Sequence, residues 1–213
     1  MAEFETEEQQ LEALRKWWQE NGRGIVVGVV LGLGAVGGWR GWVYYTEARA
    51  ESASAIYQTL MRNLTNNELT DIAAQAQELI EDYASTPYAE LAALGDARAA
   101  VEQADYERAK KSLQWARDNA NQQNIRHIAR IRLARVLRQS GDLDAALEAI
   151  DVAFPAAFLA AAEELRGDLY LAKGDRDKAR DAYRKALGAS YSSVDRELVE
   201  MKFNDLRSDD AGS

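Results

Sequence analysis

The chain has 213 residues, a formal charge of −9 and no cysteine, which excludes disulfides, thiol catalysis and zinc–thiolate sites together. The acidic balance argues against a nucleic-acid partner, because phosphate contacts need clustered lysine and arginine. A lone histidine, His127, lies beside Ile128 in an arginine-rich stretch and reads as an ordinary helix residue, since one imidazole makes a poor metal site.

Residues 1–23 form an acidic tail with Glu3, Glu5, Glu7, Glu8 and Glu12. An uncharged apolar run follows from Gly24 to Trp39, and four of the five tryptophans flank it: Trp17 and Trp18 before, Trp39 and Trp42 after. Amphipathic rings at both ends of an apolar run are what the two interfaces of a bilayer select. A hydrocarbon core of about 30 Å takes about 20 helical residues, so the expected membrane span is 24–45, ending at Tyr44 and Tyr45. Arg40 falls inside it, near enough to the end for its guanidinium to snorkel to the headgroups.

Three rival readings fit less well. A buried soluble helix would seldom carry eight of the chain's fourteen glycines between Gly22 and Gly41. A cleaved signal peptide has a basic start and a nearby small-residue cleavage site, whereas this start is acidic. An interfacial helix would have a charged face. An uncleaved signal anchor is therefore expected. Arg15, Lys16 and Arg23 before the span outnumber Arg40 and Arg49 at and just after its end, which leans towards a cytoplasmic N-terminus and an external body. Gly24, Gly28 and Gly32 share one helix face, and Gly34 and Gly38 repeat the spacing. Small residues at this spacing let a second membrane helix dock closely, although bacterial-type spans are also glycine-rich without a partner.

Beyond the span the composition is that of good helix formers, with only Pro87 and Pro155 as breaks and no sustained period-two alternation. The body is expected to be all-α. A short phrase recurs three times, as Gln103-Ala104-Asp105, Ser140-Gly141-Asp142 and Lys173-Gly174-Asp175, with the aspartates 37 and 33 residues apart. Each phrase ends one helix and starts another. The glycine supplies a left-handed C-terminal residue and the aspartate an N-cap. Ala109, Ala146 and Ala179 then stand where helices cross closely, and Leu113, Ile150 and Tyr183 occupy a common large apolar position four residues on. Two helices per repeat near 34 residues indicate a tetratricopeptide repeat (TPR)-like α-solenoid; the alternative is a generic bundle with coincidental Gly-Asp turns.

The expected organisation is a tail over 1–23, a span over 24–45, a TPR-like domain over 46–207 and a flexible polar tail over 208–213. Hairpins fall at roughly 48–85, 88–118, 124–153 and 156–187. A capping helix over 194–206 opens with a Ser192-x-x-Asp195 capping box.

No catalytic constellation is found, and no metal or cofactor site. Arg126, Arg130, Arg132, Arg135 and Arg138 form the one basic stretch. It reads as a solvated face balanced by carboxylates, with acidic lipid or an acidic peptide as the alternative. In a TPR array the first helix of each unit lines a concave groove; by register Arg98, Arg135, Arg138, Asp168 and Leu171 face it, and a protein or peptide is the expected occupant.

The run Trp17-Trp18-Gln19-Glu20-Asn21-Gly22, the Gly-x3-Gly-x3-Gly span and Gly38-Trp39-Arg40-Gly41-Trp42 together resemble the YfgM-type ancillary subunits of the SecYEG translocon. The similarity continues through Tyr88 to Leu94, Leu133-Ala134-Arg135-Val136, and Leu165-Arg166-Gly167-Asp168 to Ala179. The resemblance implies a single-pass bacterial inner-membrane protein with a cytoplasmic tail and a periplasmic TPR-like domain. It implies association with SecYEG and with a membrane-anchored periplasmic chaperone of the prolyl-isomerase class. The implied role is a chaperone-like adaptor for exported proteins, with no catalytic residue or cofactor. The alternative role is a cell-envelope scaffold unrelated to secretion.

Overall fold

The computed structural model describes residues 7–189 and 194–208. Ser192 of the expected capping box and residues 209–213 of the expected tail lie outside the described residues. Among the described residues there are nine α-helices in chain order: α1 Glu7–Asn66, α2 Ile72–Asp82, α3 Pro87–Glu102, α4 Tyr106–Asn119, α5 Gln123–Gln139, α6 Leu143–Ala149, α7 Ala156–Ala172, α8 Arg176–Gly188 and α9 Arg196–Ser208. Residues 1–49 and 50–213 form two separate compact units.

In the first unit α1 carries the only segment among the described residues that is long and apolar enough to cross a membrane. Its apolar side chains are outside any core: Val29, Leu31, Leu33 and Val36 are all exposed, and Trp39 is 70% accessible. A core helix of a soluble domain buries such a face; this one is apolar all round and leaves nearly all of it exposed. The helix also passes beyond the expected end of the span at Tyr45 without interruption. From Trp42 to Asn66 the sequence has neither proline nor glycine, so no local signal stops it.

The second unit begins within α1. Leu60 and Leu64 pack with Ile72 and Leu79 of α2 and Ala92 of α3. From α2 onward each helix packs on the next, and α4 and α6 return the chain so that α3 meets α5 and α5 meets α7. This is the two-helix repeat arrangement, with α3, α5 and α7 as first helices and α4, α6 and α8 as second helices. Leu113, Leu133, Ile150 and Leu169 share the central core, while Tyr183, Val199 and Leu206 form a further one where α9 closes the array.

The repeated turn has one geometry. Asp105, Asp142 and Asp175 donate their backbone N–H groups to the carbonyls of Ala100, Leu137 and Tyr170 at 2.8, 2.9 and 2.9 Å. The residues before them, Ala104, Gly141 and Gly174, donate to Val101, Arg138 and Leu171, and have φ of 57°, 83° and 80°. These paired bonds are the Schellman closure of a helix C-terminus. The same aspartates then accept from Arg108, Ala145 and Lys178 N–H at 3.0, 3.2 and 3.2 Å, capping the next helix. A fourth copy closes α1, where Asn67 takes φ 60° and Glu68 N–H donates to Asn63 O. At α9 Asp195 accepts from Glu197 and Leu198 N–H, so capping there rests on the aspartate.

Candidate partner-binding site

A cavity of about 590 Å³ opens between α3 and α5. Arg98 comes from α3 and Arg132, Arg135 and Arg138 from α5, so four guanidinium groups border one space. The apolar part of the wall is Val101, Val136 and, from α4, Tyr106 and Leu113. On α5 the arginines recur every three residues, which keeps them on one helix face.

Arg98 Nε donates to Glu102 Oε1 of its own helix at 2.8 Å. Arg138 Nη1 donates to Asp168 Oδ2 of α7 at 2.7 Å. Among the described residues, neither Arg132 nor Arg135 has an ion-pair or hydrogen-bond partner. Burial lowers the proton affinity of Arg132, and the charges of Arg135 and Arg98 lower it further.

Asp168 sits beside this cavity and joins four helices. Its Oδ1 accepts from Tyr183 Oη of α8 and from Lys202 Nζ of α9, both at 2.8 Å, while Oδ2 takes Arg138 of α5. Lys202 also reaches Glu164 Oε1 at 2.9 Å. Burial pushes the Asp168 carboxyl up, but the bonds from Lys202 and Tyr183 and the Lys202 charge outweigh it and hold it below the usual carboxylate range. Burial raises the Tyr183 hydroxyl far above its ordinary value, and its bond to Asp168 adds to that. Lys202 is held above the usual lysine value because its two carboxylates outweigh its burial.

Of the five groove residues read from the sequence, Arg98, Arg135 and Arg138 border the one cavity. Asp168 is outside its wall with both carboxylate oxygens engaged, and Leu171 lies on α7, 39% exposed and away from the wall. Register reasoning did not assign Arg132 to the groove. Its three-residue spacing from Arg135 is the available signal, and from the sequence the basic stretch reads as a solvated face balanced by carboxylates. That balance holds for Arg138 and fails for Arg132 and Arg135. The membrane glycines Gly24, Gly28, Gly32, Gly34 and Gly38 have open space where a Cβ would stand. His127 stacks against Phe154 and Phe158 at 5.2 and 5.5 Å, and burial lowers its pKa. No group of three metal-ligating side chains occurs among the described residues.

Helix pairs stacked in register, a turn of one geometry between them and a cavity on the first-helix face define a tetratricopeptide repeat-like protein. A family model described as a tetratricopeptide repeat-like domain matches residues 15–208. A crystal structure of a tetratricopeptide repeat protein from Parabacteroides merdae superposes with a TM-score of 0.51, covering 73% of this chain and 57% of that one at 16% identity. That likeness concerns the fold. The ancillary SecYEG translocon subunit of Escherichia coli K12 is 33% identical over 95% of this chain and 98% of its own length. The proteins of the same name from Haemophilus influenzae and Neisseria gonorrhoeae are 32% and 29% identical, over 94% and 97% of this chain and 97% and 100% of theirs. The chain belongs to the family of ancillary SecYEG translocon subunits.

Proposed function

We propose that this chain is an ancillary subunit of the SecYEG translocon: a membrane-anchored adaptor whose helical array assists exported proteins on the periplasmic side. The observation that carries the reading is kinship over the full length, since anchor and array both lie within the aligned region. Residues 24–45 form the span, with the N-terminus in the cytoplasm, in keeping with Arg15, Lys16 and Arg23 before it. The open glycine face of Gly24, Gly28 and Gly32, with Gly34 and Gly38, receives a helix of the channel or of a membrane-anchored periplasmic chaperone of the prolyl-isomerase class. The inner helix face of the array receives proteins.

Topology is tested first, with Arg184→Cys as the single thiol in a chain that has no other. Labelling by a membrane-impermeant maleimide in intact spheroplasts is expected; labelling only after lysis places the array in the cytoplasm and ends the proposal. In the same cells Gly28→Leu with Gly32→Leu is expected to reduce co-purification of SecYEG several-fold. Crosslinks from the array to secretory precursors accord with the adaptor role, and crosslinks only to cell-wall enzymes replace it with an envelope scaffold.

A further inference from the structure

Several cations of the array have a carboxylate partner. Arg108 pairs with Asp96 at 3.4 Å, Arg166 with Glu163, and Lys202 with Glu164 and Asp168. Arg132 and Arg135, both exposed, have no such partner among the described residues, and the carboxylate that shares their wall, Glu102, is taken by Arg98. Two guanidiniums bordering one cavity without an ion pair of their own are placed to take a carboxylate from a partner. Beside the two guanidiniums stand Val101, 42% exposed, and the half-buried Tyr106. The space thus offers an anion site and an apolar wall within one cavity.

We propose that this cavity binds an acidic peptide segment, its carboxylate between Arg132 and Arg135 and a neighbouring apolar side chain against Val101 and Tyr106. This deepens the reading of the inner face as protein-binding and rests on it. Guanidinium forks match carboxylates in a planar, two-bond geometry, so each arginine contributes direction as well as charge. An inorganic anion would leave the apolar wall unused. A polyanion would meet the field of a chain whose net charge is −9. A segment with one or two carboxylates next to aliphatic or aromatic residues satisfies both surfaces and avoids that repulsion.

The test uses the full chain in detergent and a short fluorescent peptide carrying Glu-Leu-Glu-Phe, followed by anisotropy. Saturable binding that weakens with salt is expected, with the Gln-Leu-Gln-Phe analogue at least tenfold weaker. Arg132→Gln and Arg135→Gln are each expected to weaken binding about tenfold without lowering the melting temperature, because each removes like-charge repulsion. Val101→Asp places a carboxylate at an exposed wall position and is expected to abolish binding, which serves as the second variant if an arginine variant unfolds. Arg184→Gln, on α8, is the unchanged control. Equal binding of the amide analogue, unchanged binding by the arginine variants, or displacement by millimolar phosphate or anionic vesicles as readily as by unlabelled peptide overturns the proposal. SecYEG co-purification of the same variants is read separately. If it persists while the peptide fails to bind, this inference falls and the translocon reading stands; if SecYEG is lost from the parent chain, that reading falls by itself.

Discussion

Between Gly24 and Gly41 a methyl group added to any glycine meets nothing within 4 Å beyond the backbone of its own helix turn and its chain neighbours, whereas at Gly167 it would stand 2.4 Å from Tyr183 Cε1. The two units therefore differ in where their small residues find their purpose. In the array the constraint is internal. Ala97, Ala134 and Gly167 hold corresponding positions in successive repeats, opposite Leu113, Ile150 and Tyr183. The largest of the three side chains faces the smallest residue, and the hydroxyl of Tyr183 is held by Asp168, so its ring cannot swing away. In the anchor nothing in the chain itself requires glycine. In a soluble helix each would cost about 1 kcal/mol against alanine, so a reason for them lies in what packs against the helix from outside.

The sharpest way to break this contrast is to add the same methyl group in both units. Gly167→Ala overpacks against Tyr183 and is expected to cost about 2–3 kcal/mol, read as a lower urea midpoint of the array. Gly28→Ala is expected to leave that midpoint unchanged. Equal effects at the two sites would mean that the anchor's glycines are already packed, or that Tyr183 can move.

A smaller effect is expected at Asp168, the carboxylate that ties α5, α7, α8 and α9 together. Asp168→Asn leaves Lys202 and Arg138 short of a counter-charge and is expected to cost about 1–2 kcal/mol near neutral pH. Its pKa is lowered in the folded state, so its stabilisation is complete above about pH 4 and is lost as pH falls through the lower folded value. Parent and variant should therefore converge in stability as pH falls through that lowered value. Lys202, with its folded pKa raised, acts in the opposite sense: its contribution is present below about pH 10 and is lost as pH rises through the higher folded value. A difference between parent and Asp168→Asn that stays constant with pH would mean the carboxylate charge is not what joins the helices.

The smallest effects separate the turns. Gly174→Ala places a Cβ in a left-handed position and is expected to destabilise by about 1 kcal/mol. Ala104→Gly relieves the same strain in the first repeat, where φ is already 57°, and is expected to stabilise by up to about 1 kcal/mol. Opposite signs in thermal melts of the two variants check that one turn geometry is imposed on three sequences. Matching signs would show that the first turn relaxes.

Ala104 also marks the limit of local reading. Gly141 and Gly174 announce a left-handed turn by their own chemistry, so each of those turns was legible from residues fewer than ten apart. Ala104 adopts the same backbone against its preference, because the helices on either side must pack as the other pairs do. Likewise hydropathy divides α1 at Tyr45, yet as a helix it ends only at Asn66, where the left-handed Asn67 closes it.

The sequence by itself determined the class of element, the repeat and the apolar N-terminal helix, because caps, turns and helix periodicity act within one or two turns of chain. It placed Arg98, Arg135 and Arg138 on a common face through the register of the repeat, in which the first helix of each unit lines the groove. Only the tertiary structure decided which charges are answered. Arg138 finds Asp168 thirty residues away, while Arg132 and Arg135 find no carboxylate among the described residues. That outcome depends on how α3, α5 and α7 are rotated against one another. Packing of the large core side chains sets this rotation, and no short stretch of sequence encodes it.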